Sequence, residues 1–192
     1  MSVIRAFIAI TLSEEVYQGL EQVIAGLKEK LSGVPLRWVP ARNIHLTIKF
    51  LGNVSMTNLE MLKKAIHTEA GQHAAFEMSV GRFGAFPSLQ RPRVLWVGVE
   101  ASKSLQLTQL GIENVTSRLG YPKEDRPFSP HLTLARVSRN ASPQDIKAIS
   151  QAISNYEVGF LGAFRVEEIH LYRSDLMRGG AVYTRLFSVR LQ

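Results

Sequence analysis

One tetrapeptide pattern occurs twice in the chain, as His45-Leu46-Thr47-Ile48 and His131-Leu132-Thr133-Leu134. In each copy a single apolar residue separates a histidine from a threonine. Residues two apart on a strand share a face. Each copy therefore predicts a strand that sets an imidazole beside a hydroxyl and turns a leucine, Leu46 or Leu132, into a core. The surroundings repeat too: 31 residues separate His45 from Phe76, and 31 separate His131 from Gly162. No low-complexity linker divides the halves. The expectation is one bilobal domain over residues 1–192, with pseudo-repeats of about residues 1–90 and 91–192. An approximate two-fold axis would make both motif strands face one groove.

The order around the motifs supports an α+β class with an antiparallel sheet and flanking helices in each lobe. Val3 to Ile10 is apolar and β-branched and reads as a strand. Val16, Leu20, Val23, Ile24, Leu27 and Leu31 recur at helical spacing after Ser13, and Gly33 and Pro35 close that helix. Leu36 to Pro40 is a short extended piece. Ile44 to Leu51 carries the first motif, and Gly52-Asn53 reads as a turn. A helix over Thr57 to Ala70, a strand over Phe76 to Phe83 and a loop over Gly84 to Pro92 follow. The second half repeats the order. It has a strand at Val94 to Val99, a helix over Ser102 to Leu119 with Leu107 and Leu110 in its apolar set, and a loop to Pro130. The second motif strand is His131 to Ala135. Ser142-Pro143 then starts a helix, and Gly162 to Tyr172 reads as one strand. Ser174 to Gly180 is a loop before a last strand at Val182 to Leu191.

Composition narrows the chemistry. The chain has no cysteine, which excludes disulfides, thiolate zinc sites and cysteine nucleophiles. No apolar run approaches the roughly 18 residues of a membrane span. The apolar start lacks a basic leader and a small-residue cleavage site, so it reads as a strand rather than a signal peptide. A cytoplasmic monomer with no membrane contact and no obligate protein partner is expected. The net charge of +7 favours polyanionic partners such as nucleic acid.

Histidine takes or gives a proton near neutral pH. A single histidine on a strand is more often structural, but two in matching positions, each followed by Thr, point to a pair that divides acid and base roles. Thr47 and Thr133 sit on the faces of their histidines, where the hydroxyls could hold non-bridging phosphate oxygens. Phosphodiester chemistry can use this set without a metal. Zinc is the alternative for the two histidines, but a third ligand is missing, because His67, His73 and His170 lie in stretches of other pattern. No metal and no cofactor are expected. Arg126 and Arg136 flank the second motif and could pair with phosphate through their planar donor forks. Phe7, Trp38, Phe50, Phe86, Trp96, Phe128 and Tyr172 are the aromatics that could stack on a base; most sit in strands and read as core, while Phe128 and Trp38 lie nearest the motifs in loops and are the better candidates.

With these residues in place the sequence resembles the 2H phosphoesterases, and within them the RNA 2′,3′-cyclic phosphodiesterases, also called 2′-5′ RNA ligases. The resemblance extends beyond the two tetrapeptides. It includes Arg5-Ala6-Phe7-Ile8-Ala9, Trp38-Val39-Pro40, Lys49-Phe50-Leu51-Gly52, Pro92-Arg93-Val94-Leu95-Trp96, Phe128-Ser129-Pro130, Ala135-Arg136 and Leu171-Tyr172-Arg173-Ser174. It implies a bilobal α+β fold with the site between the lobes. It implies metal-free hydrolysis of a terminal RNA 2′,3′-cyclic phosphate to a 2′-phosphate, and 2′-5′ joining to a 5′-hydroxyl in the reverse sense. It also implies that His45 is the proton donor and His131 the proton acceptor. The residues alone indicate the pair and leave open which does which. RNA with cyclic phosphate ends, tRNA fragments included, or nucleotides would be the partners. Two alternatives stand beside this reading: a 2H phosphoesterase for a small cyclic nucleotide, and a non-catalytic module that only holds RNA ends.

Overall fold

The computed structural model describes residues 3–178 and 180–192. Nine strands, four α-helices and two single-turn 3-10 helices (Ala41–Asn43 and Met56–Asn58) are found among them. In order the strands and α-helices are β1 (Val3–Ile10), α1 (Glu14–Lys30), β2 (Leu36–Trp38), β3 (Leu46–Ser55), α2 (Leu59–Ala70), β4 (Phe76–Phe86), β5 (Val94–Val99), α3 (Lys103–Ser117), β6 (His131–Val137), α4 (Pro143–Ile153), β7 (Phe160–Val166), β8 (Glu168–Met177) and β9 (Gly180–Arg190). The helix starts follow local chemistry. Ser13 Oγ accepts from the Val16 amide ahead of α1, whose first turn carries Glu14 and Glu15 and whose last carries Lys28 and Lys30. Ser142 and Asp145 form a reciprocal capping box at α4, with Pro143 in its first turn.

The strands form two antiparallel sheets, a four-stranded one in the order β3-β1-β8-β9 and a five-stranded one in the order β2-β6-β5-β4-β7. The α+β class with antiparallel sheets is therefore as the sequence predicts. Both sheets share one motif, a central strand (β1 or β5) between a His-Thr strand (β3 or β6) and a late strand (β8 or β4). The late strands cross over: β4 joins β5 and β8 joins β1, so neither sheet comes from one contiguous half of the chain. Ile4, Ala6, Ile8 and Ile10 of β1 and Leu132 and Leu134 of β6 are buried in the core under the helices. The opposite faces of the two sheets border a cleft.

Four boundaries differ from the sequence expectation. Gly162 to Tyr172 is two strands in two different sheets, because the chain leaves β4 at Val166 and joins β1 and β9 after Glu167. The buried positions Val166 and Ile169 are three apart, so the alternation changes phase where the chain changes sheet. The stretch expected as a loop before Gly180 is instead the end of β8, which pairs residue by residue with β9 up to Met177 and Gly180; Gly179 lies outside the described residues. β3 runs through Gly52-Asn53, with Gly52 at φ 69° absorbing an irregularity that a side chain would resist. β4 continues to Phe86 because Gly84 gives space to the Trp96 indole on the paired strand. In α3 the buried side is partly polar (Leu105, Thr108, Ile112, Glu113, Thr116), and Leu107 and Leu110 are exposed.

Candidate active site

Bulges in the motif strands arrange the site. On β3, Thr47 pairs with Ala9, Lys49 with Ile8, Phe50 with Phe7 and Gly52 with Ala6, so Ile48 and Leu51 have no opposite residue on β1. The extra residue at Ile48 resets the alternation. Thr47 and Phe50, three apart, both reach the cleft, while Lys49 is buried on the helix side against Glu113 of α3. β6 repeats the device. Thr133 pairs with Trp96 and Ala135 with Leu95, leaving Leu134 unmatched, and Thr133 and Arg136 share the cleft. Equivalent positions three residues after each motif threonine thus present an aromatic ring on one side and a guanidinium on the other.

The cleft encloses a cavity of about 430 Å³. His45, Thr47, His131 and Thr133 all line it, together with Arg5, Arg136, Phe50 and Tyr183, and among the described residues no carboxylate does. The imidazoles are held alike. His45 Nδ1 lies 2.8 Å from the Asn43 carbonyl oxygen, and His131 Nδ1 lies 2.7 Å from that of Ser129. A carbonyl only accepts, so each Nδ1 carries the hydrogen. Each Nε2 is left to hold a lone pair or a second proton, and among the described residues no side chain engages it. Burial pushes both imidazoles below the ordinary histidine range; the bond to the Asn43 or Ser129 carbonyl opposes this, and Arg136 adds to it at His131.

Aromatic rings fix the planes of the imidazoles. Phe7 stacks on His45 with centroids 4.6 Å apart, and Tyr183 meets it edge-on at 5.2 Å. Phe86 meets His131 edge-on at 4.9 Å, and Trp96 lies 6.4 Å from it. A Cβ on Gly84 would overlap the Trp96 indole. Gly84→Ala is therefore expected to displace Trp96 and loosen His131, lowering kcat more than it raises KM. Steady-state kinetics with a thermal melt checks this.

The four motif residues and Arg136 come together in the cavity; Arg126, Phe128 and Trp38 are not among its lining residues. Arg126 is exposed and lies 3.4 Å from Glu124. Phe128 packs against the core. Trp38 belongs to β2, pairs with Ala135 and carries Lys28 over its ring. His170 is buried, with Nδ1 at 2.9 Å from Ser188 Oγ and Nε2 at 3.3 Å from Thr11 Oγ1. Phe50 is 67% exposed although it sits in an apolar strand, a position that only the bulge explains. Arg5 and Tyr183 reach the cavity from strands distant in sequence from the motifs; Arg5 belongs to a stretch that carries the family resemblance, and no spacing signal marks Tyr183.

The LigT-like phosphoesterase family model matches the chain twice, over residues 10–96 and 97–183. The chain belongs to this family. A relative named RNA 2′,3′-cyclic phosphodiesterase from Methanothermobacter thermautotrophicus is 29% identical, over 98% of this chain and 99% of its own. TT0787 of Thermus thermophilus superposes with a TM-score of 0.80 at 29% identity, covering 98% of each chain. Escherichia coli LigT complexed with 3′-AMP superposes with a TM-score of 0.72 at 28% identity, covering 99% of each chain. These two solved structures share the fold over nearly the whole chain.

Proposed function

We propose that the chain is an RNA 2′,3′-cyclic phosphodiesterase, opening a terminal cyclic phosphate to a 2′-phosphomonoester by acid-base catalysis between His45 and His131, within one bilobal domain. The observation that carries this reading is the pair of Nδ1-anchored imidazoles in one cavity that, among the described residues, has arginine, no carboxylate and no side chain on either Nε2. The names of the family relatives support the substrate class.

In this scheme His131 Nε2 takes a proton from the attacking water, and the water oxygen bonds to phosphorus. The P–O3′ bond breaks, and His45 Nε2 gives its proton to the leaving 3′-oxygen. The products are a 2′-phosphate and a 3′-hydroxyl. The two imidazoles end with exchanged protonation and reset through solvent. Thr47 and Thr133 donate their hydroxyls to the non-bridging oxygens, and Arg136 balances the charge developing there. Phe50 is the better-placed platform for the terminal base than Phe128 or Trp38, because its ring is exposed on the cavity wall. With a 5′-hydroxyl in place of water the same steps make a 2′-5′ linkage.

Hydrolysis of a short RNA ending in a 2′,3′-cyclic phosphate, in excess EDTA, tests the reading. A 2′-phosphate product is expected. A 3′-phosphate product, or activity that disappears with EDTA and returns with zinc, would contradict it. Turnover of small cyclic nucleotides but not RNA would favour the narrower nucleotide reading.

The histidine environments set the pH dependence. His131 must be neutral and His45 protonated, and both are shifted downward by burial. The acid limb (His131) and the alkaline limb (His45) of kcat/KM should therefore both lie below the ordinary value of about 6.5. A bound phosphate anion favours imidazolium, so the kcat profile should sit at higher pH than that of kcat/KM. A kcat/KM maximum above neutrality would contradict these environments.

A further inference from the structure

The open face of the four-stranded sheet continues past the cavity along β8 and β9 to Tyr172 and Arg185, which are not among its lining residues. On one register row Phe50 pairs with Phe7, Phe7 with Tyr172, and Tyr172 with Arg185. Directly paired residues share a face, so this row crosses all four strands on the side that holds His45. The rings are in contact along it, with Phe7 stacked on Tyr172 at 5.4 Å and on His45 at 4.6 Å. In the next row Ser174 pairs with Tyr183, and both line the cavity. The cavity therefore opens directly onto β8 and β9. Three strand spacings, about 14 Å, separate β3 from β9. That exceeds the reach of one ribose-phosphate unit seated on the histidines.

Arg185 stands at the far end of the row and is exposed. Arg173 and Arg190, on the same two strands, are paired with Asp175 and Glu168. Among the described residues Arg185 has no carboxylate within salt-bridge distance. Its charge is felt at Tyr172 and at His170. Past it the row ends, because β9 is the edge strand of the sheet.

We infer that Tyr172, Tyr183 and Arg185 form a second nucleotide subsite for the ribonucleotide preceding the cyclic phosphate, with the internucleotide phosphate on Arg185 and the sugar or base on the tyrosine faces. The subsite rests on the RNA reading above and makes the substrate an oligonucleotide, not a free cyclic nucleotide.

The test compares 2′,3′-cyclic AMP with the dinucleotide ApA ending in a 2′,3′-cyclic phosphate, using wild type, Arg185→Ala and Arg185→Lys. Wild type should prefer the dinucleotide. Arg185→Ala should lower kcat/KM for the dinucleotide by about tenfold through KM, while cyclic AMP changes less than about twofold. Arg185→Lys should recover part of the loss. The slope of log(kcat/KM) against log salt should flatten by about 0.7 for the dinucleotide, as for one lost phosphate contact on a single strand. Equal losses on both substrates, or no loss on either, would overturn the subsite while leaving the RNA reading intact. Failure of wild type to turn over either substrate would overturn the RNA reading and the subsite with it.

Discussion

Alanine at His45 or at His131 should lower single-turnover hydrolysis of an RNA cyclic phosphate by about 10²- to 10⁴-fold, the span of a positioned proton-transfer group. The two losses should not add. In the proposed scheme proton donation and acceptance serve one displacement, so the double variant should fall little below the worse single one. Neither substitution should unfold the chain, since both rings border the cavity rather than the buried core. Rapid-quench kinetics on the three variants, with circular dichroism as the control for folding, measures this. A histidine variant that keeps more than a tenth of the wild-type rate would remove that residue from the proton-transfer pair.

The largest expected effect on stability lies at Glu113→Leu. Lys49 is buried, and its ammonium group bonds both the Glu113 carboxylate and the Pro122 carbonyl. Glu113 also accepts from the Glu124 amide at 2.8 Å and from Gln109 Nε2 at 3.2 Å. This cluster ties the first motif strand to α3 and to the loop before the second motif. Removing one partner of a buried pair leaves the other charge uncompensated, at a cost of about 3–5 kcal/mol. For a chain of this size that lowers Tm by roughly 10 °C. Lys49→Met combined with Glu113→Leu should recover most of the loss, because the stranded charge is then gone. Lys49 lies between Thr47 and Phe50 on the bulged strand. Glu113→Leu should therefore also weaken activity below its melting range. Thermal melts of the two single variants and the double one decide this; equal Tm values for all three and wild type would contradict it.

The motif strands were legible because a period of two survives over His45-Leu46-Thr47 and His131-Leu132-Thr133, where nothing interrupts the pleat. The helices were legible from caps such as Ser13 and Ser142-Pro143, whose side-chain chemistry is local. What escaped depends on contacts between distant elements. The bulge at Ile48 turns Phe50 out of the core and into the cleft, and a bulge leaves no mark in composition; the matching bulge at Leu134 is equally silent, although Arg136 beyond it is marked by its place next to the second motif. Gly52-Asn53 has turn chemistry but lies inside a strand, because pairing with β1 outweighs a dipeptide preference. Gly84 suggests a loop until Trp96 is placed over it. Leu107 and Leu110 fit a helical stripe, yet α3 turns Glu113 inward to meet Lys49, a partner 64 residues away. Arg126, Phe128 and Trp38 are near the motifs in sequence, and the chain turns them to solvent, to the core and to a short strand pair.

The division of labour between the histidines is tested most directly with a 3′-thio substrate, an RNA whose terminal cyclic phosphate has sulfur at the 3′ position. The thiolate leaves without protonation, so the reaction needs a base for water but no acid for the leaving group. The account predicts that His45→Ala regains most of its lost rate on this substrate and releases a 2′-phosphate and a 3′-thiol, while His131→Ala stays impaired. Rescue of His131→Ala instead of His45→Ala would reverse the roles, and rescue of neither would contradict the acid-base pair.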